Sequence, residues 1–376
     1  MTTLPTLRAV PFFNYPDIFT SQREDLVRVF TEVSSRGSFI MQEELSAFET
    51  HLGAFIEARH ALGVGNATDG LHMAVRAVGI GPGDEVIVSS HTMIATAAAV
   101  HFAGATPVPV ECGPDHLIDA VAAEAAITSR TRAIMPTQLN GRTCDMDALQ
   151  AIAGRHGLIL LEDAAQGLGS KYKGRCAGTF GAASAISFYP AKVLGCLGDG
   201  GAVIMNSPEI HERIYQMRDH GRSTTGEIVS WGLNSRLDNL QAALLDYQLK
   251  KYDRVIERRR QLASRYTERL SEVTEVVLPP APEADPDHFD IYQNFEIEAK
   301  RRDGLKKHLK DCGIGTLIQW GGQAVHQLKA LGFTGSLPYT EGLIARMLMV
   351  PMNMSLTDGD VDYVCDYIRA FYGYPA

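Results

Sequence analysis

Short apolar runs alternate with helical patterns between residues 61 and 205 of this 376-residue chain. Seven of these runs have the length of a strand, and helix-like stretches at 68–78, 94–102 and 146–155 lie between them. Because parallel strands need long crossover connections, the alternation predicts a largely parallel sheet with helices on both faces. The predicted strands are 61–64, 85–88, 107–110, 133–136, 158–161, 185–188 and 202–205.

Two helices are predicted before the alternating region. Ser21 and Glu24 have the spacing of a capping box, so the first helix is expected to begin there. Gly37 marks its expected end. A second helical pattern runs from about 42 to 57.

A long helical pattern follows the alternating region, from Arg236 to about Leu270. Its charged run at 257–260 is expected to form a solvated face of the helix. The proline-rich stretch at 279–286 then predicts a linker or an exposed loop.

The last part of the chain, 287–376, has an α+β pattern, with a strand expected at 289–297 and a closing helix at 361–371. We therefore expect two domains. Residues 1–240 would hold an N-terminal segment and a large α/β domain, and residues 241–376 a connecting helix and a small α+β domain.

Composition excludes several classes of function. Thirty-five basic against 44 acidic side chains give a net charge of −9, which argues against a nucleic-acid-binding protein. No apolar run approaches the ~18 residues of a membrane span, and no secretory signal is visible, so a cytoplasmic protein without a membrane partner is expected. The six cysteines form no C-x-x-C pair and fit no zinc pattern, so we expect reduced thiols and no metal site.

Parallel sheets bind ligands at the carboxyl ends of their strands, and the first such end here carries a glycine-rich turn. A helix is predicted to begin at Thr68, after Gly63 and Gly65. Free N–H groups and a hydroxyl at a helix start can hold a phosphate, although a plain turn fits the same residues. The turn also half-matches a dinucleotide fingerprint, with Thr68 where the third glycine should be.

Two further strand ends carry ionisable side chains. One strand ends in Glu162 and Asp163, which could cap a helix or hold a ring cation. Another delivers Ser187 and then Lys192, a single lysine among apolar and small residues. Desolvation would lower the pKa of such a lysine, as imine formation requires. A phosphate cradle, an acid and a secluded lysine together match the needs of pyridoxal phosphate.

The ordered set of motifs resembles the DegT/StrS-type sugar aminotransferases over residues 12–372. The motifs are Asn66-Ala67-Thr68-Asp69, Glu162-Asp163-Ala164-Ala165-Gln166, Ser187-Phe188-Tyr189-Pro190-Ala191-Lys192, Gly198-Asp199-Gly200-Gly201, His220-Gly221 and Asn234-Ser235-Arg236-Leu237-Asp238. The resemblance implies fold type I of the pyridoxal-phosphate enzymes: a seven-stranded, mostly parallel sheet with helices on both faces, plus a small C-terminal α+β domain.

The resemblance also implies roles for individual residues. Lys192 corresponds to the Schiff-base lysine, Asp163 to the partner of the pyridine nitrogen, and Gln166 to the hydrogen-bond donor to the ring hydroxyl. Asn234 corresponds to a residue that reaches the phosphate from the partner subunit, which implies a homodimer with shared sites. The expected phosphate ligands are Ala67, Thr68 and Ser187.

The sequence departs from the family pattern on the ring and substrate sides. Met93 occupies a position that is usually aromatic and stacked on the ring, and could equally be a core residue. Asn140 and the segment 319–326 also differ from the usual motifs, which suggests a substrate outside the best-known subset. Substrate-side candidates are His220, Arg236 and His326; a helix cap, an interface contact and a surface position, respectively, would explain them equally well.

The sequence therefore favours an aminotransferase that uses pyridoxal 5'-phosphate, alternating with pyridoxamine phosphate, and a ping-pong mechanism through Lys192. The expected donor is an amino acid, glutamate in most of the family, and the expected acceptor a keto sugar linked to a nucleotide. A ketocyclitol acceptor is the first alternative. A nicotinamide oxidoreductase built on Gly63 and Gly65, and a non-catalytic ligand sensor, are the others.

Overall fold

The structure, a computed structural model, describes residues 8–375. Its centre is a large mixed sheet whose strands coincide with all seven of the predicted runs. The strands up to residue 205 are β1 His60–Val64, β2 Glu85–Ser89, β3 Thr106–Val110, β4 Thr131–Met135, β5 Ile159–Leu160, β6 Glu162–Asp163, β7 Lys171–Tyr172, β8 Arg175–Cys176, β9 Ala183–Ser187 and β10 Gly201–Met205.

One broken strand joins two ladders into this sheet. β5 pairs in parallel with β4, and β6 pairs in parallel with β9. Only Leu161 separates β5 from β6, and its N–H still donates to the Ile134 carbonyl of β4. The resulting strand order is β3-β2-β4-β5/β6-β9-β10-β1. Because β10 alone runs antiparallel to its neighbours, the prediction of a mostly parallel α/β sheet is confirmed.

Thirteen α-helices surround the sheets within the described residues. They are α1 Tyr15–Thr20, α2 Arg23–Ser35, α3 Glu43–Phe55, α4 Ala67–Ala77, α5 Ile94–Phe102, α6 Ala120–Ala125, α7 Met146–His156, α8 Pro208–Arg218, α9 Asn239–Leu249, α10 Tyr252–Leu270, α11 Arg302–Asp311, α12 Pro338–Arg346 and α13 Asp358–Tyr372. Short 3₁₀ turns occupy Leu139–Gly141, Gln319–Gly322, Val325–Gln327 and Lys329–Leu331.

The predicted capping box before α2 is wrong. The Ser21 hydroxyl donates to the Asp17 carbonyl instead, because Ser21 closes the preceding helix α1. Gln22 is the N-cap of α2 and makes no side-chain capping bond. Gly37 does follow the end of α2, in the left-handed region at φ +67°.

Two predicted elements of the C-terminal part are divided in the structure. The long helix breaks between α9 and α10, at residues 250–251. The strand expected at 289–297 is two strands, β12 His288–Phe289 and β13 Phe295–Ala299. The residues between them leave the strand because they bind the large sheet's loops: the Ile291 N–H donates to the Gly141 carbonyl.

A separate antiparallel sheet forms the small domain, in the order β11-β13-β14. β11 spans Val276–Val277 and β14 spans Met347–Val350. The helices α10, α11 and α13 pack on it, around a hydrophobic core of their own that includes Tyr266, Phe295 and Val364. Val10 belongs to this core and pairs with Ile314. The division of the chain at residue 240 stays a prediction.

The charged run on α10 is only partly the solvated face that was expected: Glu257 is exposed and Arg258 half-buried, while the last two arginines of the run are buried. Arg259 is 4% exposed and donates to the carbonyls of Tyr292, Gln293 and Met352, at 2.8 to 2.9 Å. Arg260, 7% exposed, donates to the Asp290 carbonyl. These arginines satisfy irregular backbone of the small domain, which explains how charged side chains are tolerated in the interior.

All six cysteines are buried and form no disulfide, in agreement with the expected thiols. Within residues 8–375, none of the helices combines the length and the hydropathy that a bilayer crossing needs.

Replacing Arg259 with methionine should lower the free energy of unfolding by about 2–4 kcal/mol, because three buried carbonyl groups lose their donor. Arg254→Met, an exposed position of the same helix, should change stability by less than about 0.5 kcal/mol. Urea denaturation followed by circular dichroism measures both. Equal stabilities of the two variants would contradict the structural role given to Arg259.

Candidate active site

A cavity of about 430 Å³ lies at the carboxyl edge of the large sheet. Its walls come from the segments that follow β1, β2, β4, β6 and β9, as expected for a parallel sheet. Lys192 and Asp163 line it together. The structure thus brings together seven of the predicted residues: Ala67, Thr68, Met93, Asp163, Gln166, Ser187 and Lys192.

The first turn of α4 forms one end of the cavity. Asn66 caps the helix by accepting from the Asp69 N–H, while the N–H groups of Ala67 and Thr68 lie in the turn that lacks intrahelical acceptors. Gly201 lies directly beneath: a Cβ there would come within 2.7 Å of the Ala67 nitrogen. With the hydroxyls of Thr68 and Ser187 on the same cavity, this donor set fits a phosphate.

Asp163 is a buried carboxylate with fixed donors. Its Oδ2 accepts from the Thr96 hydroxyl at 2.6 Å, and its Oδ1 accepts from the Ala165 N–H at 3.1 Å. Burial raises the pKa of Asp163, while these hydrogen bonds and Lys192 act in the opposite direction. A cationic ring nitrogen in the cavity would supply the positive charge that a buried carboxylate needs.

Sequence reasoning missed Thr96 and the hydroxyls behind it. The Thr92 hydroxyl lies 2.8 Å from both the Thr96 and the Thr137 hydroxyl, so three threonines form a chain that ends on Asp163. Helix periodicity gave no signal for this pair, because Thr92 precedes the N-cap of α5 and only Thr96 lies on the helix.

Lys192 lies in the loop between β9 and β10. Desolvation in the cavity lowers the pKa of Lys192 to about 8, and the negative charge of Asp163 opposes the shift. Gln293 of the small domain holds the loop on both sides of the lysine. Its Oε1 accepts from the Val193 N–H, and its Nε2 donates to the Ala191 carbonyl. Nothing in the sequence connected Gln293 with this loop.

The amide of Gln166 has a defined orientation. Its Oε1 accepts from the Asn140 main-chain N–H at 2.8 Å, and from Asn294 Nδ2 at 3.3 Å. A main-chain N–H can only donate, so the amide oxygen must face it. The Nε2 donor is left for the cavity that Gln166 lines, which fits a donor to a ring hydroxyl.

Only one of the two adjacent carboxylates faces the cavity. Glu162 points to the other side of the strand, where its oxygens accept from Gln138 Nε2 and from the main-chain N–H groups of Gly178, Phe180 and Gly181. Glu162 therefore anchors a loop beneath the site.

Four predicted residues do not line this cavity. Asn234 is exposed, and Arg236 forms an ion pair with Asp219 at 2.8 Å. His220 lies in a left-handed turn at φ +58°. His326 is buried, with Nδ1 2.6 Å from the Ser90 hydroxyl, so its alternative as a surface residue is wrong.

Two large side chains, Met93 and Trp320, also line the cavity. Met93 is 46% exposed and lines the cavity, so its alternative as a core residue is wrong. Trp320, which sequence reasoning did not single out, also lines the cavity. Its backbone is left-handed at φ +52°, and its indole nitrogen is buried without a hydrogen-bond partner.

Comparisons with known proteins agree with this geometry. A family model described as the DegT/DnrJ/EryC1/StrS aminotransferase family matches residues 20–369. The dTDP-3-amino-3,4,6-trideoxy-alpha-D-glucose transaminase of Streptomyces venezuelae is 41% identical over 366 residues, which cover 96% of this chain and 95% of that protein.

Solved structures give the same result. The structure of DesV from S. venezuelae superposes with a TM-score of 0.93 at 39% identity, covering 98% of this chain and all of that one. NtdA from Bacillus subtilis, with bound cofactor PMP, superposes with a TM-score of 0.90 at 28% identity, covering 98% of this chain and 86% of that one.

The low pKa of Lys192 predicts how the cofactor-free protein captures pyridoxal phosphate. Only the neutral amine reacts, so with a pKa of about 8 the capture rate should rise with pH, reach half its plateau near pH 8 and level off by pH 9 to 10. Stopped-flow absorbance measures this rate. A rate that still climbs tenfold per pH unit above pH 9 would show an ordinary, solvated lysine.

Asp163→Asn should move that midpoint to lower pH, because the negative charge that raises the pKa of Lys192 is removed. The same stopped-flow series measures the shift. An unchanged or higher midpoint would contradict the electrostatic contact between the two side chains.

Proposed function

The chain belongs to the DegT/DnrJ/EryC1/StrS aminotransferase family, and we propose that it moves an amino group from glutamate to a nucleotide-linked keto sugar. It is a pyridoxal-phosphate-dependent aminotransferase of the fold type I class. The observation that carries the proposal is the cavity in which Lys192, Asp163 and the α4 phosphate cradle meet.

Each group in the cavity has a task in this proposal. Bound pyridoxal phosphate supplies an aldehyde carbon and an electron-accepting ring. Lys192 Nζ holds the cofactor between turnovers and moves the proton at the substrate carbon. Asp163 keeps the ring nitrogen protonated, and Gln166 Nε2 donates to the ring hydroxyl. Met93 packs on the ring face.

The cradle residues anchor the cofactor through its phosphate. The first-turn N–H groups of Ala67 and Thr68, together with the hydroxyls of Thr68 and Ser187, form the donor set. Because these groups are fixed by the start of α4 and the end of β9, they would hold the phosphate group in one place relative to Lys192.

The curated relative from S. venezuelae supports a nucleotide-linked acceptor. Its name describes a transaminase of a dTDP-linked amino sugar, and it is 41% identical to this chain over nearly the full length. The cavity supports the class as well: Trp320, on its wall, offers an aromatic face to a sugar.

The substrate-side candidates fit a site completed by a second copy of this chain. Asn234, His220 and Arg236 lie on one segment outside the cavity, and Asn234 is exposed in the single chain. In the proposed homodimer, Asn234 reaches the partner's cofactor phosphate, and Arg236 and His220 hold the sugar diphosphate. His326, already paired with Ser90 and Glu341, is removed from that set.

A ketocyclitol remains the second candidate acceptor, because the same cavity serves either carbonyl substrate. The nicotinamide hypothesis has no support from the family assignment, which is to an aminotransferase family. The sensor hypothesis would require a site that binds the cofactor and fails to transfer an amino group.

The purified holoenzyme tests the donor and acceptor separately. With L-glutamate alone it should release about one equivalent of 2-oxoglutarate per subunit, and the aminated enzyme should then turn over dTDP- or UDP-linked keto sugars rather than scyllo-inosose. Lys192→Ala should lose transfer by more than about a hundredfold, while Lys173→Ala, an exposed lysine, should not. Turnover of the inosose alone would favour the ketocyclitol, and no glutamate half-reaction would favour a sensor.

Mixing two inactive variants tests the shared site. If Asn234 acts across the interface, co-refolded Lys192→Ala and Asn234→Ala chains should regain roughly a quarter of the wild-type activity, because each mixed dimer contains one intact site. Two sites built within single chains would show no recovery, and gel filtration of each variant serves as the control for assembly.

A further inference from the structure

A buried carboxylate of the small domain heads a chain of amides that ends at Gln166. We propose that Glu296 and Asn140 are positioning residues: together they fix which end of the Gln166 amide faces the cofactor. This rests on the part of the proposed function that assigns Gln166 to the cofactor's ring hydroxyl, and it is independent of the amino acceptor.

Asn140 makes hydrogen bonds through its main-chain N–H and through both ends of its side-chain amide. Its main-chain N–H donates to Gln166 Oε1, and its side-chain Nδ2 donates to Glu296 Oε1 at 3.1 Å. Its Oδ1 accepts from Asn294 Nδ2 at 2.8 Å and from Gln319 Nε2 at 2.6 Å. Asn140 therefore connects Gln166 at the cavity with Gln319, the neighbour of Trp320, and with Glu296 on strand β13.

The polarity of this network is set at one end. An ionised carboxylate only accepts hydrogen bonds, so Glu296 forces Asn140 to present Nδ2 to it and Oδ1 to the other amides. Asn294 must then present Nδ2 to that oxygen, and the same nitrogen also donates to Gln166 Oε1. Gln166 is left with its NH₂ group toward the cavity.

Glu296 is held in its ionised form by two imidazoles. Its Oε1 lies 3.1 Å from His91 Nε2 and 2.8 Å from His116 Nδ1, and its side chain is almost fully buried. The histidines hold the pKa of Glu296 far below its usual range, and the pKa of His116 rises to about 9. The two histidine nitrogens and the Glu296 oxygen pair as donors and acceptor, so hydrogen bonding by itself explains why these three side chains lie together.

The backbone at Asn140 is adapted to this task. Its φ of +56° lies in the left-handed region, which asparagine tolerates better than most residues. Gly141 follows at φ +87°, where a Cβ would come within 2.6 Å of the Gln293 nitrogen. The turn thus places the Asn140 N–H against Gln166 while its side chain reaches β13.

Asn140→Gly separates positioning from backbone shape, because glycine keeps the left-handed turn and the main-chain N–H and loses only the amide. The readout is the pH midpoint of the visible absorption change of the holoenzyme, which reports protonation of the ring-bound chromophore. A donor to the ring oxygen favours its ionised form, so losing that donor should raise the midpoint.

Gln166→Leu is the reference variant, because it removes the donor completely; the midpoint should rise by about one pH unit. Asn140→Gly and Glu296→Gln should each shift the midpoint in the same direction by a smaller amount, since Gln166 then keeps the Asn140 main-chain donor and loses the fixed Asn294 donor. The matched control is Lys173→Gly, an exposed residue whose φ is +49°, and it should leave the midpoint unchanged.

A wild-type midpoint in both Asn140→Gly and Glu296→Gln, with Gln166→Leu shifted, would overturn the proposal. If Gln166→Leu itself does not shift, the assigned contact with the ring is wrong and the proposal falls with it. If the midpoints shift but the protein aminates no nucleotide-linked sugar, only the proposed acceptor is wrong and the positioning role of these residues stands. Should Asn140→Gly fail to fold by circular dichroism, Asn294→Leu carries the same prediction.

Discussion

Two opposite charges removed from bulk water at the carboxyl edge of one sheet are the constraint on which the site depends. Lys192 is desolvated enough that its pKa falls to about 8, and Asp163 is buried among threonine hydroxyls. Neither charge would be stable there alone, and each moderates the other. The sheet makes this possible because its strands end side by side and deliver both side chains from rigid backbone.

The small domain contributes more than a wall to the cavity. Its segment between β12 and β13 supplies Gln293, which holds the loop of Lys192, and Asn294, which contacts Gln166. Arg259 binds the carbonyl groups of this same segment from behind. The buried Arg259 guanidinium therefore holds the irregular segment in place. That segment in turn holds the Lys192 loop and Gln166.

Much of this was accessible from residue patterns. The seven strands, the helices α3, α4, α5 and α7, and the seven cavity residues follow from periodicity and from motif resemblance, because each depends on residues close in sequence. The failures have physical causes. Ser21 closed one helix instead of opening the next, and Arg259 and Arg260 were assigned to solvent because carbonyl acceptors from distant loops are invisible in a helix pattern.

The amino-acid sequence by itself determined the α/β class and, through the resemblance of its ordered motifs, the cofactor, and it predicted the lysine and acid proposed to serve it, since those depend on local spacing and on which residue types end which strands. Only the tertiary structure decided that Glu162 faces away from the cavity, that Thr96 binds Asp163 and that His326 is engaged elsewhere. It also set the Glu296–Asn140–Gln166 order of hydrogen bonds. Those contacts join residues up to 236 positions apart, and only the packing of segments distant in sequence brings their atoms within hydrogen-bonding distance.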